Sequence, residues 1–181
     1  MFPFLLALLA LITGAAFASP VADLFAAVRN DDPAAIEAAL AAGAGIDSIG
    51  DGGQTPLMAA SLGGSARSVA LLLSRNADAT IGEKDGYTPL HGAGFQGRAE
   101  VARLLLKDPR VPNEAHRDGF FPVHRACWGP EQRHTDTVRA FLEAGEFDRK
   151  TRDGKGLAEV CARNKRSQAL VADWGSAAEE L

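Results

Sequence analysis

The sequence predicts an all-α solenoid, a stack of about five turn-helix-helix repeats. A short block with proline at its second position returns every 33 residues, at Thr55-Pro56-Leu57, Thr88-Pro89-Leu90 and Phe121-Pro122-Val123. Each block opens an apolar stretch with helical spacing, and a second such stretch follows after a glycine-containing turn. A fixed period of this length indicates repeats that bury their apolar faces only by stacking.

Composition excludes several classes of protein. The 181 residues are 46% hydrophobic and 23% charged, as in an ordinary globular domain. The formal net charge is −4 and no basic block occurs, so nucleic acid is not expected as a partner. The four His and two Cys are too few and too scattered for a zinc finger.

The N-terminus reads as a secretory signal peptide over residues 1–18. Residues 2–17 carry no charge, and Ala16-Phe17-Ala18 has the small-x-small pattern of a cleavage site. Cleavage after Ala18 predicts a secreted protein, or one in the secretory-pathway lumen or periplasm, with no membrane contact. The n-region lacks Lys and Arg, so an uncleaved anchor or a buried first helix remains an alternative.

The predicted repeat domain covers residues 19–174. In the first repeat, Asp32 is the expected N-cap and Pro33 the first residue of a helix over 33–42, preceded by one over 21–29. Residues 175–181 are small and acidic, and we expect them to be disordered. The expected repeats are about 20–50, 51–84, 85–117, 118–152 and 153–174.

The third repeat shows the role of each residue in the recurring block. Asp85-Gly86 forms a tight turn, and the Thr88 hydroxyl is expected to cap the helix that begins at Pro89. In the fourth repeat Phe121 replaces this threonine, which removes a cap worth about 1 kcal/mol. The same repeat carries about three additional residues within 129–134, predicted as an extended loop. This loop is either a second candidate binding element or a tolerated insertion, which costs little at the surface.

These blocks resemble the ankyrin-repeat family. The third repeat matches best, with Asp85-Gly86, Thr88-Pro89-Leu90-His91, Ala93 and Gly97 in the family's positions. The resemblance spans about residues 21–174 and makes the first and fifth repeats look like family caps. It implies a monomeric, non-enzymatic scaffold without cofactor or metal. Such a scaffold binds an unidentified protein or peptide through its turn tips and concave face.

The family's phase identifies candidate contact residues. In this phase some residues project from the turn tips and others line the concave face, and the aromatic ones among them are favoured interface anchors. Alternatively, the rings only pack against neighbouring loops and close the stack. A purely structural role, for example as one subunit of a larger complex, is a separate alternative. The candidates are Gln54, Tyr87 and Phe120 at the tips, Leu62, Phe95 and Trp128 on the concave face, and Arg125 at the rim.

A second function class centres on His124, Cys127 and His134, as a small metal-binding protein or hydrolase. A structural zinc site needs four ligands, and no fourth is evident. The family resemblance implies structural roles for His91 and His124, whose imidazoles would help to hold the turn and the neighbouring loop. Cys127 and Cys161 lie on first helices of adjacent repeats. Export favours a disulfide, but such helices are typically more than about 7 Å apart, so we expect two buried thiols with the bridge as the alternative.

The signal-peptide prediction is tested by the intact mass of protein purified from its natural host. A mass corresponding to a chain that begins at Ser19 is expected. A mass that includes residues 1–18 would contradict cleavage.

Overall fold

The computed structural model describes residues 19–179. Within this range there are ten α-helices and no strand, arranged as five helix hairpins, which confirms the all-α class. Among these helices, none has both the length and the apolar character needed to cross a bilayer. The helices are α1 (Pro20–Arg29), α2 (Pro33–Ala41), α3 (Pro56–Gly63), α4 (Ala66–Ser74), α5 (Pro89–Gln96), α6 (Ala99–Lys107), α7 (Pro122–Ala126), α8 (Gln132–Glu143), α9 (Leu157–Val160) and α10 (Lys165–Glu179). A 3-10 turn, Cys161–Arg163, follows α9.

The same backbone turn precedes each first helix from the second hairpin onward. The Glu83 N–H donates to the Tyr87 carbonyl at 3.0 Å, and the Gly86 N–H donates to the Glu83 carbonyl at 2.7 Å. Gly86 has a φ of +87°, which only glycine adopts without strain. The turns beginning at Gly50, His116 and Thr151 make the equivalent pair of bonds.

Helix starts follow the predicted chemistry with one exception. The Asp32 carboxylate accepts from the Ala34 N–H at 3.0 Å, and the Thr55 hydroxyl accepts from the Met58 N–H at 3.2 Å. The Thr88 cap was wrong, because this hydroxyl instead lies 2.9 Å from Nδ1 of His91. The His91 imidazole, three residues after Thr88, takes the place of a backbone N–H as the partner of this hydroxyl oxygen.

A continuous core runs through the stack, and every helix contributes to it. Each hairpin therefore covers its apolar face with its neighbours, as predicted for a repeat array. The fully buried contributors, one from each helix in order, are Leu24, Ile36, Leu57, Leu72, Leu90, Leu105, Val123, Phe141, Leu157 and Val171.

The predicted loop of the fourth repeat is present only in part. Residues 129–131 lie in a five-residue connection between α7 and α8, whereas two residues connect α3 to α4 and α5 to α6, but residues 132–134 belong to α8. Helix α8 has 12 residues, whereas α4 and α6 have nine. Helix formation satisfies backbone groups that a loop would expose, and the Gln132 amide supports the first turn with a 2.9 Å bond to Asp136.

Side chains of one hairpin satisfy the carbonyls at the end of the preceding first helix. Nε of Arg98 donates to the Leu62 carbonyl at 3.1 Å, and Nδ2 of Asn164 donates to the Gly129 carbonyl at 2.7 Å. Nε2 of His134 lies 3.2 Å from the Phe95 carbonyl. Helix-terminal carbonyls have no partner within their own helix, so these bonds fix neighbouring hairpins to each other.

The C-terminal residues differ from the predicted disordered tail. Helix α10 continues to Glu179, so residues 175–179 are helical. The reason is packing: a Cβ on Gly175 would lie 2.8 Å from the Phe147 ring, which shows how closely the helix sits on this side chain. The predicted signal peptide and its cleavage site after Ala18 lie outside the described residues, as do the last two residues of the predicted tail.

Cys127 and Cys161 form a disulfide with their Cα atoms 4.5 Å apart, so the expectation of two buried thiols was wrong. Cys127 follows α7 and Cys161 opens the 3-10 turn after α9, so the bridge joins the fourth and fifth hairpins. One hairpin earlier, small residues allow a close approach between α5 and α7. Ser61, Gly94 and Cys127 occupy equivalent positions 33 residues apart, and a Cβ on Gly94 would lie only 2.4 Å from the Pro122 carbonyl oxygen.

Gly94→Ala tests this close approach. We expect it to lower the free energy of unfolding by about 1–2 kcal/mol, because the backbone of Pro122 must move while the alanine recovers some helix propensity. The measurement is urea denaturation followed by circular dichroism.

Gly63→Ala is the matched control in the preceding first helix. The nearest atom to its Cβ is the Ser65 hydroxyl at 3.4 Å, so its stability should stay equal or rise by up to about 1 kcal/mol. Equal destabilisation of the two variants would contradict the packing argument.

Candidate protein-binding site

A cavity of about 310 Å³ opens on the face formed by the first helices of the second, third and fourth hairpins. We call it the central pocket. Helices α3, α5 and α7 and the turn before α5 supply its walls. Its lining residues are Met58, Leu62, Glu83, Tyr87, His91, Gly92, Phe95, Arg125 and Trp128.

Large apolar side chains stand exposed at the pocket. The exposed fraction of Phe95 is 53% and that of Trp128 is 42%. Gly92 supplies depth, because a Cβ there would come within 3.1 Å of Leu62 and 3.2 Å of Met58. Glycine inside a helix costs up to about 1 kcal/mol relative to alanine, so α5 gives up helix stability where the pocket is deepest.

Arg125 is buried between three aromatic rings. Its guanidinium carbon lies 4.3 Å from the ring centroid of Trp128, 4.8 Å from that of Tyr87 and 5.3 Å from that of Phe120. A desolvated cation–π contact stabilises by roughly 2 kcal/mol. The predicted rim position was wrong, because these rings and an ion pair with Asp118 draw the side chain inward.

Asp118 holds the cluster together through both carboxylate oxygens. Nη2 of Arg125 and the Tyr87 hydroxyl donate to Oδ2, while the Phe120 N–H donates to Oδ1 and Nδ1 of His116 lies 3.1 Å from it. Burial acts to raise the pKa of Asp118, but the bonds from Arg125, Phe120 and His116 outweigh it and hold this pKa well below its usual range. The carboxylate is therefore charged at neutral pH.

Stacking immobilises the tip aromatics. Tyr87 stacks on His116 with ring centroids 3.9 Å apart, and Phe120 meets Trp128 edge-on at 5.2 Å. Burial is the main cause that raises the pKa of Tyr87, so its hydroxyl stays a donor to Asp118 at neutral pH. The rings are thus positioned before any partner arrives.

His91 and His124, which each lie two residues after the proline that begins their helix, are buried and neutral. Burial lowers the pKa of His91 to about 4, partly opposed by the backbone of Phe120. Burial likewise lowers the pKa of His124, whose Nδ1 accepts from the Phe121 N–H at 3.1 Å and whose Nε2 lies 3.2 Å from the Arg149 carbonyl. Both nitrogens of His124 are engaged in structural contacts.

The structure brings together most of the predicted contact residues. Phe120 lies beside the pocket against Trp128, whereas Gln54 lines a separate cavity with Phe25 and Ile49. Two further lining residues, Met58 and Glu83, were not predicted from the sequence. The 33-residue period could have identified Met58, because it places this residue at the position equivalent to His91. The predicted residues that line the central pocket are Leu62, Tyr87, Phe95, Arg125 and Trp128.

The side chains on which the metal-binding or hydrolase alternative depends are engaged in other contacts. The sulfur of Cys127 is bonded to Cys161, and His124 has no free nitrogen. Across residues 19–179, no three His, Cys, Asp or Glu side chains cluster as metal ligands. The remaining candidate ligand, His134, lies against Phe95 and Glu131.

Comparison with known families agrees with this architecture. A family model described as ankyrin repeats, in three copies, matches residues 24–115. The chain belongs to the ankyrin-repeat family. Ankyrin repeats generally mediate protein–protein interaction, and proteins built from them are typically non-enzymatic scaffolds. The matched range ends before α7, so Arg125 and Trp128 belong to hairpins beyond it. No curated protein matches the sequence at a significant level.

The low pKa of His91 predicts a stability that depends on pH. An ordinary His has a pKa near 6.5, so the folded state binds this proton more weakly than the unfolded state does. The neutral imidazole contributes fully above pH 6.5, and its contribution falls as the pH drops toward about 4, by on the order of 3 kcal/mol in total. Urea denaturation between pH 4.5 and 7.5 measures this slope.

His91→Asn is the control variant, since its amide can still meet the Thr88 hydroxyl but does not titrate. Its slope should be shallower, with the remainder due to His124, whose pKa is lowered in the same direction. Asp118 titrates below this window and does not contribute. Identical slopes for the two proteins would contradict the assignment.

Proposed function

We propose that this ankyrin-repeat protein is a non-enzymatic scaffold that binds a partner protein or peptide at the central pocket. Phe95 and Trp128 are its anchors. The observation that carries the proposal is that two large aromatic side chains stay about half exposed beside an apolar cavity. Aromatic residues at the centre of an interface supply much of the binding energy when a partner covers them.

Preorganisation supports the same assignment. The Arg125–Asp118 pair and the stacked Tyr87 fix one wall of the pocket in the free protein. A partner that docks on fixed rings loses less conformational entropy from the receptor side. If this surface served only to close the stack, the rings of Phe95 and Trp128 would not need to remain about half exposed to solvent.

Local chemistry favours binding over catalysis. His124 is neutral, buried and committed to backbone groups, and His91 faces the Thr88 hydroxyl. Arg125 and Asp118 neutralise each other. The titratable groups of these helices are therefore engaged in holding the array in shape.

We also propose an extracytoplasmic location. The apolar stretch at residues 2–17 has the pattern of an export signal. The Cys127–Cys161 disulfide supports the same compartment, because such bonds persist where the environment is oxidising. The partner would then be a protein of the periplasm, the secretory lumen or the extracellular space.

Selection from a phage library of random 12-residue peptides tests the binding site. We expect clones enriched on the purified protein to lose at least about tenfold in affinity for the Phe95→Ala/Trp128→Ala double variant, because both anchors are gone. Biolayer interferometry with synthetic copies of the clones provides the measurement.

Ile49→Ala is the matched control, as Ile49 is 57% exposed but lies at the other cavity. Its affinities should stay within about twofold of the unmodified protein. Clones that bind the double variant undiminished would overturn the proposed site, as would a selection that yields no clone above background.

A further inference from the structure

We infer that the central pocket receives one long basic side chain of the partner, a Lys or an Arg, and that Glu83 is its ion-pair partner. This inference rests on the proposed function and names the chemistry of its ligand. Four observations carry it: an unpaired carboxylate, a neutralised cation, apolar walls and a small volume.

Glu83 is the carboxylate of the pocket that has no partner. It lines the cavity and is only partly exposed, yet within residues 19–179 its carboxylate makes no hydrogen bond and no ion pair. Its backbone is fixed by the turn bonds to Gly86 and Tyr87, so the side chain starts from a defined position.

The other charges of the pocket cancel. Arg125 is paired with Asp118, and His91 is neutral at pH 7. When Asp118, which pairs with Arg125 from outside the lining, is counted with the lining residues, Glu83 leaves one net negative charge at the pocket. A partner that buried this carboxylate without pairing it would meet the cost of desolvating a charge, whereas a cation would offset that cost.

The walls suit the rest of a basic side chain. Met58, Leu62 and Phe95 present apolar surface, on which the methylene stem of Lys or Arg can lie while its charged end reaches Glu83. A partner group with an anionic end is disfavoured by repulsion from the same carboxylate.

The volume is sufficient for one long side chain. At about 310 Å³, the cavity is at the small end of the roughly 300–1,000 Å³ typical of ligand pockets. The exposed Phe95 and Trp128 then contact the partner's backbone and neighbouring residues outside the cavity.

Four synthetic peptides, acetyl-Gly-Gly-X-Gly-Gly-amide with X as Arg, Lys, norleucine or Glu, test the inference. Binding to the purified protein is followed by the NMR shift of the Trp128 indole N–H, identified by its loss in Trp128→Phe. We expect the Arg and Lys peptides to bind with a Kd about fivefold lower than the norleucine peptide, and the Glu peptide to bind most weakly.

Glu83→Gln should bring the Arg, Lys and norleucine peptides to within about twofold of one another. Glu100→Gln, an exposed glutamate on α6, is the matched control and should keep the fivefold preference. Glu83→Asp provides a second variant with the charge retained. The remaining indole and amide resonances report whether each variant is folded.

A norleucine peptide that binds as tightly as the Arg peptide would overturn the inference, as would a preference unchanged in Glu83→Gln or the absence of any shift. These outcomes leave the proposed function to its own test. If selected 12-residue peptides still depend on Phe95 and Trp128, the site stands and only its preference for a cation fails.

Discussion

The stacking of hairpins is the constraint on which the rest of this structure depends. No hairpin can cover its own apolar face, so each helix sends a side chain into a core that runs the length of the array. The cross-hairpin bonds from Arg98, His134 and Asn164 then set the spacing at one end of the first helices. The relative positions of the pocket residues depend on that spacing, because these residues come from three successive hairpins.

Much of this architecture could be predicted because its causes are local. Proline at the first helical turn, glycine at positive φ and the Asp32 cap act within a few residues, so their spacing in the sequence is their spacing in the fold. The predicted positions of Phe95 and Trp128 on the concave face likewise followed from the repeat period alone. What failed required knowledge of distances between hairpins, because the bridge forms only where the fourth and fifth hairpins bring the Cα atoms of Cys127 and Cys161 within reach, here 4.5 Å.

The candidate site shows the same division. Periodicity placed Leu62, Phe95 and Trp128 on one face, since equivalent positions of successive repeats lie side by side. It could not place Arg125 inside the ring cluster, because that position results from an ion pair and three aromatic contacts formed only after stacking. Nor could it reveal that the Glu83 carboxylate has no partner among residues 19–179, which is a property of the assembled surface.

The disulfide makes the two ends of the array unequal in how easily they open. A solenoid opens from its ends, where the outer hairpin has a neighbour on one side only. At the C-terminal end, Cys127 and Cys161 tie the last two hairpins covalently, so the fifth hairpin stays attached to the fourth at that point when its helices separate. The N-terminal hairpin has no such tie among the described residues. Opening through α1 and α2 is therefore the less constrained of the two, while the pocket lies between the ends, on the second to fourth hairpins.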